Sequence, residues 1–244
     1  MIGRALRAQA VGFVGDVVLL GAAAAAFVVS LSVAAGVPPE LAGAPADLRE
    51  ALAAPFGVVL ATYGAVLAAV YGSFRYTVDR RDGVIVQRLT VQPRWVLLLA
   101  RLPTAAVGGA LVALAGVLGG HVALAVTMGG VPVNWSSVGS ALVVGAVAGL
   151  WGMGVGLVVQ SHLAALFVAA MSMGVAVLLA MVWGAGAVYL PLLAMLQAFP
   201  FDVTAVGITP ELRLDGSLAV LVAGGWVTSA LLGGAILFLR RDVT

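Results

Sequence analysis

Six times along this chain the sequence runs for about twenty residues with almost no charge, long enough to cross a bilayer as a helix. The runs are roughly Val11–Gly36, Ala51–Ser73, Pro103–Met128, Ser140–Val159, Leu163–Val188 and Leu218–Leu239. A backbone inside hydrocarbon has to satisfy its own N–H and C=O groups, so unbroken apolar runs of this length read as helices. Barrel strands would alternate over about ten residues instead. Only 9% of the residues are charged and 63% are hydrophobic, which leaves too little polar surface to cover a soluble domain. The expected fold class is therefore all-α: a polytopic membrane protein with six transmembrane helices in one domain over 1–244. Thirty-two glycines fit that class, since glycine lets membrane helices approach closely.

Charge sets the expected orientation. All twelve basic residues are arginine. Arg4, Arg7, Arg75, Arg80, Arg81, Arg88, Arg94, Arg101, Arg240 and Arg241 fall on one side of a six-span drawing, and only Arg49 and Arg213 on the other. The positive-inside bias predicts a multi-pass membrane protein with both termini in the cytoplasm. Glu40, Asp47, Glu50, Asp202, Glu211 and Asp215 all fall in predicted outside loops. The apolar run after Arg4 and Arg7 is too long for a cleavable signal and reads as a retained first span. Met1–Ala10 reads either as a segment lying along the interface or as a frayed positive tip. Cysteine is absent, which excludes disulfides and thiol chemistry.

The outside loops are expected at Val37–Glu50, irregular because of Pro38, Pro39 and Pro45, at Gly129–Gly139, and at Tyr189–Ser217. Within the last, Tyr189–Phe201 is apolar but too short to span. It fits a re-entrant or interfacial helix ending at Pro200.

The segment from Phe74 to Arg94 carries five of the twelve arginines. Phe74, Val78, Ile85 and Leu89 recur at helical spacing, and Arg75, Arg81 and Arg88 lie off that stripe. Gly83 weakens the middle, so the helix is expected bent or in two pieces, and Pro93 breaks the chain before Arg94. Trp95 and Arg101 suit the membrane interface, and Pro103 is expected to open the third span. Such a segment reads as an ordinary positive loop or as a handle for a soluble partner.

The order of span, basic helix, Asp82-Gly83, Pro93-Arg94, a leucine run, Arg101 and span resembles the membrane subunits of type-2 ABC transporters, small six-span permeases of ATP-driven exporters. Val84 stands where those proteins carry a threonine, and Arg101 where they carry a lysine. The resemblance implies a cytoplasmic coupling helix after the second span, about Phe74–Leu89, docking on an ABC ATPase subunit. It places Arg75, Arg80, Arg81 and Arg88 as polar contacts, with Phe74, Val78, Ile85 and Leu89 on the same helix. A second contact is implied at Gln160, Ser161 and His162. It also implies a re-entrant helix before the sixth span, with Tyr189–Phe201 as its first arm. The chain has no G-x-x-x-x-G-K-[ST] and no lysine, so no cofactor is expected on it. ATP and Mg would be held by the partner. A second permease chain, identical or related, is implied as the other partner, and no nucleic acid. The spans offer almost no charge, so a hydrophobic or amphipathic substrate (drug, lipid or peptide) is expected; that it moves outward, across a bacterial-type plasma (inner) membrane, is what the resemblance implies.

Other features carry competing readings. Gly116-x-x-x-Gly120, Gly145-x-x-x-Gly149 and Gly152-x-x-x-Gly156 permit tight helix packing, within one subunit or at a dimer seam. Asp16, one turn inside the first span, is either an ion or proton site or an acid that reaches the interface or pairs with an arginine such as Arg7. His121 reads as a hydrogen-bonded helix histidine. His121 and His162 fall on opposite sides of the membrane, too far apart to share a metal. Asn134-Trp135-Ser136 matches a glycosylation sequon by pattern alone. Met171, Met173, Met181, Met195, Trp183 and Tyr189 form an adaptable apolar set that lines a greasy route or faces lipid. An ion- or proton-coupled secondary transporter is the alternative function. It normally needs several mid-membrane acids, and here only Asp16 is available. No cluster resembling an enzyme site is visible, and a non-transporting assembly or immunity factor is a further class.

Overall fold

A computed structural model describes residues 2–36, 45–129 and 133–240. All regular structure among them is helical. The residues expected to form the tips of the first two outside loops, with Pro38, Pro39 and Glu40, lie outside the described set, as does Arg241. Among the described residues five helices are long and apolar enough to cross a membrane, or six if one bent pair counts as a single span.

That pair is the first departure from the sequence reading. The run expected as one span from Val11 breaks into α1 (Ile2–Val14) and α2 (Val17–Ala35), bent by 52°. Gly15 and Asp16 cause the break. Asp16 Oδ1 accepts hydrogen bonds from the backbone N–H groups of Val18 (3.0 Å) and Leu19 (3.2 Å), so it caps α2 rather than continuing α1. The N-terminal segment is thus helical, and α1 rests on the start of the third long helix through Ala5, Val96 and Ala100.

Next comes α3 (Ala46–Arg81), one 36-residue helix whose apolar part is Pro55–Arg81. It continues through the segment expected to be a separate coupling helix. The break falls at Gly83, whose φ of 73° only glycine adopts without strain. A six-residue helix, α4 (Val84–Leu89), follows. Then α5 (Arg94–Met128) starts directly after Pro93, so Pro103 lies inside the helix instead of opening it. The leucine run preceding Pro103 carries helix propensity enough to extend α5 by more than two turns. Arg49 Nη1 donates to the Met128 carbonyl (2.8 Å) and closes the far end of α5.

Asn134 caps α6 (Trp135–Val159) through its Oδ1, which accepts from the Ser136 and Ser137 backbones. The sequon asparagine therefore has a structural task. The fifth span is shorter than expected: α7 (His162–Ala180) stops well before Val188. A four-residue helix, α8 (Gly184–Ala187), and α9 (Pro191–Ala198) follow it. Leu192, Leu193, Ala194, Met195 and Leu196 of α9 are fully buried, so the short apolar helix expected here exists and is packed into the protein. Gln197 fixes it. Its Nε2 donates to the Val188 and Leu193 carbonyls, and its Oε1 accepts from the Leu214 N–H at 2.8 Å. Beyond it Asp202 caps a 3-10 turn, Val203–Val206, by accepting from the Thr204 N–H and hydroxyl. Those two bonds, the backbone one foremost, hold its carboxyl below the usual aspartate range. The last helix is α10 (Gly216–Arg240).

The bundle is organised around α3, which packs on α2, α5, α6 and α7. Small residues set its approach to α6. A methyl group added at Gly152 would land on the Ala69 backbone, and one at Gly72 on the Gly149 carbonyl. Gly145 meets Gly109 and Ala113 of α5 in the same way, and Gly156 meets Ser73. The glycine pairs of α6 are thus used within the chain. His121 Nδ1 donates to the Val117 carbonyl one turn back, at 2.9 Å.

Candidate functional site

At the arginine-rich end, α3 carries Tyr71, Arg75 and Asp79, each four residues from the last and therefore on one face. The broken first span brings Asp16 against that face. Arg75 Nε meets Asp16 Oδ2 at 2.6 Å, and Arg75 Nη1 meets Asp79 Oδ1 at 2.5 Å. The other oxygen of Asp79 pairs with Arg101 Nη2 at 2.6 Å. Tyr71 donates its hydroxyl to Asp16 at 3.3 Å, and the Arg101 guanidinium lies 5.7 Å from the Tyr76 ring centre. The result is an alternating chain of two acids and two arginines that ties together the α1–α2 break, α3 and α5.

Burial makes this chain consequential. The side chains of Asp16 and Arg101 are 3% and 7% exposed. Isolated charges so placed would be costly, and each is acceptable only because an opposite charge and further hydrogen bonds accompany it. All four carboxylate oxygens of the two acids have partners. Arg75 lies six residues before α3 ends, about 9 Å along the axis at 1.5 Å per residue, so the chain sits just inside one end of the bundle. Among the described residues no group of three or more His, Asp or Glu is gathered as a metal site.

The structure distributes the expected site residues unevenly. Arg75, expected as an exposed polar contact, points inward and is the centre of the ion chain. The reason is its helix: Phe74–Arg81 remain part of α3, so position 75 faces the bundle. Ile85 of α4 is fully buried against Tyr76, Leu97 and Phe238. Phe74, Val78, Arg80, Arg88 and Leu89 are half-buried, and Arg81 is exposed. Arg88 reaches α1, with its guanidinium beside Gly12. Gln160 takes a left-handed φ of 61° and ends α6, Ser161 is exposed, and His162 opens α7. Two separate segments meet here: the Phe74 and His162 rings lie 4.0 Å apart.

One reading of Asp16 was a pairing with an arginine such as Arg7, and the arginine it pairs with is Arg75. The sequence reading puts Arg101 at the membrane interface, but Arg101 is buried against Asp79; that pairing and the Tyr71 hydroxyl are the part it misses. One signal was available: Tyr71, Arg75 and Asp79 repeat every fourth residue in a segment that otherwise reads as span. No protein-family model matches the chain, and no curated protein is significantly similar to it.

Proposed function

We propose that this chain is the membrane-spanning permease subunit of an ATP-binding cassette exporter, acting with a separate ATPase and a second permease chain. The observation that carries the reading is the Phe74–His162 contact at 4.0 Å. The two segments that the resemblance assigns to ATPase contact, 74–89 and 160–162, are neighbours at one end of the bundle. A partner seated there would touch α4, the end of α3 and the α6–α7 turn together. Because α3 is an unbroken helix packed on four others, a push at Arg81 moves the core rather than a loop. That is the mechanical requirement for passing a partner's two states into the membrane. Substrate would be hydrophobic or amphipathic, since the spans present almost no unpaired charge to a polar solute.

An ion- or proton-coupled carrier needs an acid free to take up the coupling ion. Asp16 has Arg75, Tyr71 and two backbone N–H groups on its two oxygens, which disfavours that alternative.

Mild-detergent purification from the native host tests the proposal. A P-loop ATPase recovered at near one copy per chain is the expected result. Arg80→Glu with Arg81→Glu should then weaken its recovery while membrane insertion persists. Recovery of the chain without any ATPase, under conditions that preserve other such complexes, would refute the reading. An ATPase retained equally by the double variant would remove those two arginines from the contact.

A further inference from the structure

Beside the ion chain is a small cavity walled by Gln9 of α1, Arg75 and Tyr76 of α3, and Arg101 and Thr104 of α5. Its base has room for about one water-sized group, and its mouth is partly open. Two groups in its wall have no partner among the described residues: Gln9 Nε2 and Arg101 Nε. Gln9 is 2% exposed and Arg101 6% exposed, so bulk water does not satisfy either. Buried polar groups left unpaired are rare in folded proteins, and each one asks for an explanation.

The chemistry of the wall restricts the occupant. Both unpaired groups are N–H donors, so the occupant accepts hydrogen bonds. Two guanidinium groups line the cavity, while the carboxylates of Asp16 and Asp79 do not. Asp16 and Asp79 pair with these same arginines from outside the cavity, so the ion chain is neutral in sum, and the part of it that lines the cavity is guanidinium. Arg88, beside Gly12, adds a positive charge that those two acids do not balance. An anionic oxygen fits this wall better than a neutral one.

The position restricts it again. Arg101 lies seven residues into α5, about 10 Å from its first residue at 1.5 Å per residue. That puts the cavity at the arginine-rich end of the bundle, where the apolar spans give way to charge and lipid headgroups would lie. The helix that supplies Gln9 also exposes Leu6, Val11 and Val14, an apolar surface suited to the adjoining leaflet.

We propose that this cavity receives one phosphate oxygen, from the headgroup of an acidic phospholipid in the adjoining leaflet or from free phosphate. The bound oxygen accepts from Gln9 Nε2 and Arg101 Nε and faces Arg75. Binding joins α1 to α3 and α5 and holds the bent N-terminal helix in place. This holds whatever the chain transports.

The test uses the full chain in nanodiscs of phosphatidylcholine, of phosphatidylcholine doped with phosphatidylglycerol, and of phosphatidylcholine with inorganic phosphate added. Thermal midpoint and lipid retention by native mass spectrometry are measured for wild type and Gln9→Leu. Phosphatidylglycerol should raise the midpoint, and Gln9→Leu should weaken that effect by about tenfold in lipid concentration, the loss of one hydrogen bond to a charged group. Stabilisation by inorganic phosphate alone would identify free phosphate as the source. No stabilisation by either anion would overturn the proposal. So would a phosphatidylglycerol preference that Gln9→Leu leaves unchanged, because general attraction to the basic end would explain it. If the variant does not fold, a wild-type map decides: phosphorus-centred density bridging Gln9 and Arg101 supports the site, and a lone water or an empty cavity overturns it.

Discussion

Asp79 is the residue on which the ion chain turns, because it alone joins Arg75 to Arg101. Asp79→Ala leaves Arg75 with Asp16 but leaves Arg101, 7% exposed, with no carboxylate. Breaking a buried pair by removing one partner costs about 3–5 kcal/mol. The lower end applies here, near 3 kcal/mol, because Arg75 retains a partner and the Tyr76 ring face still attracts the Arg101 guanidinium. Arg101→Leu should cost less, about 1–2 kcal/mol, because Asp79 keeps Arg75 and leucine packs among Tyr76 and Leu97. The double variant should be less destabilised than the sum, by a coupling of about 1–3 kcal/mol, since it leaves no orphaned charge. Reversible unfolding in mixed micelles, by steric trapping or detergent titration, supplies all three values. The reasoning is refuted if Asp79→Ala lies within about 0.5 kcal/mol of wild type, or if the two substitutions are additive within about 0.5 kcal/mol.

Two further outcomes are expected. Gly152→Ala should lower stability by at least the roughly 1–3 kcal/mol typical of overpacking, because the obstacle is the Ala69 backbone and cannot rotate away; a thermal melt compares it with Gly139→Ala, where nothing lies within 4 Å. The Asp202 carboxyl is depressed in the folded chain, so its capping contribution is complete above the ordinary aspartate pKa of about 3.9 and fades as pH falls through the lower folded value. The Thr204 amide resonance should follow that acid transition, and Asp202→Ala should abolish it.

Much of the fold was legible because it rests on local rules. Apolar length marks the spans, Gly83 marks the turn into α4, and the short run at Pro191–Ala198 is too brief to cross. The misplaced boundaries have local causes as well. Gly15-Asp16 is a break followed by a cap, masked by the apolar residues on either side, and the leucines before Pro103 let α5 begin early. The ion chain was not legible. Arginine bias reports the end of the molecule at which a residue lies, and it is blind to whether that residue faces solvent or the bundle. Arg75 and Arg81 look alike to that rule, yet one bridges two buried acids and the other is exposed. Pairings between Asp16 and Arg75, or Asp79 and Arg101, depend on how α2, α3 and α5 pack, which no window of sequence contains.

The same pairings impose an order on biogenesis. Asp16 leaves the ribosome long before Arg75, and Arg75 and Asp79 precede Arg101. When α1 and α2 reach the translocon, Arg75 has not yet been made, and an acid without its buried partner resists partition into lipid. The α1–α2 segment should therefore wait at the membrane surface or within the translocon until α3 arrives. Release of the N-terminal helices into the bilayer then becomes a late, cooperative event, and a ribosome stalled before Arg75 emerges should leave them accessible to extraction by carbonate.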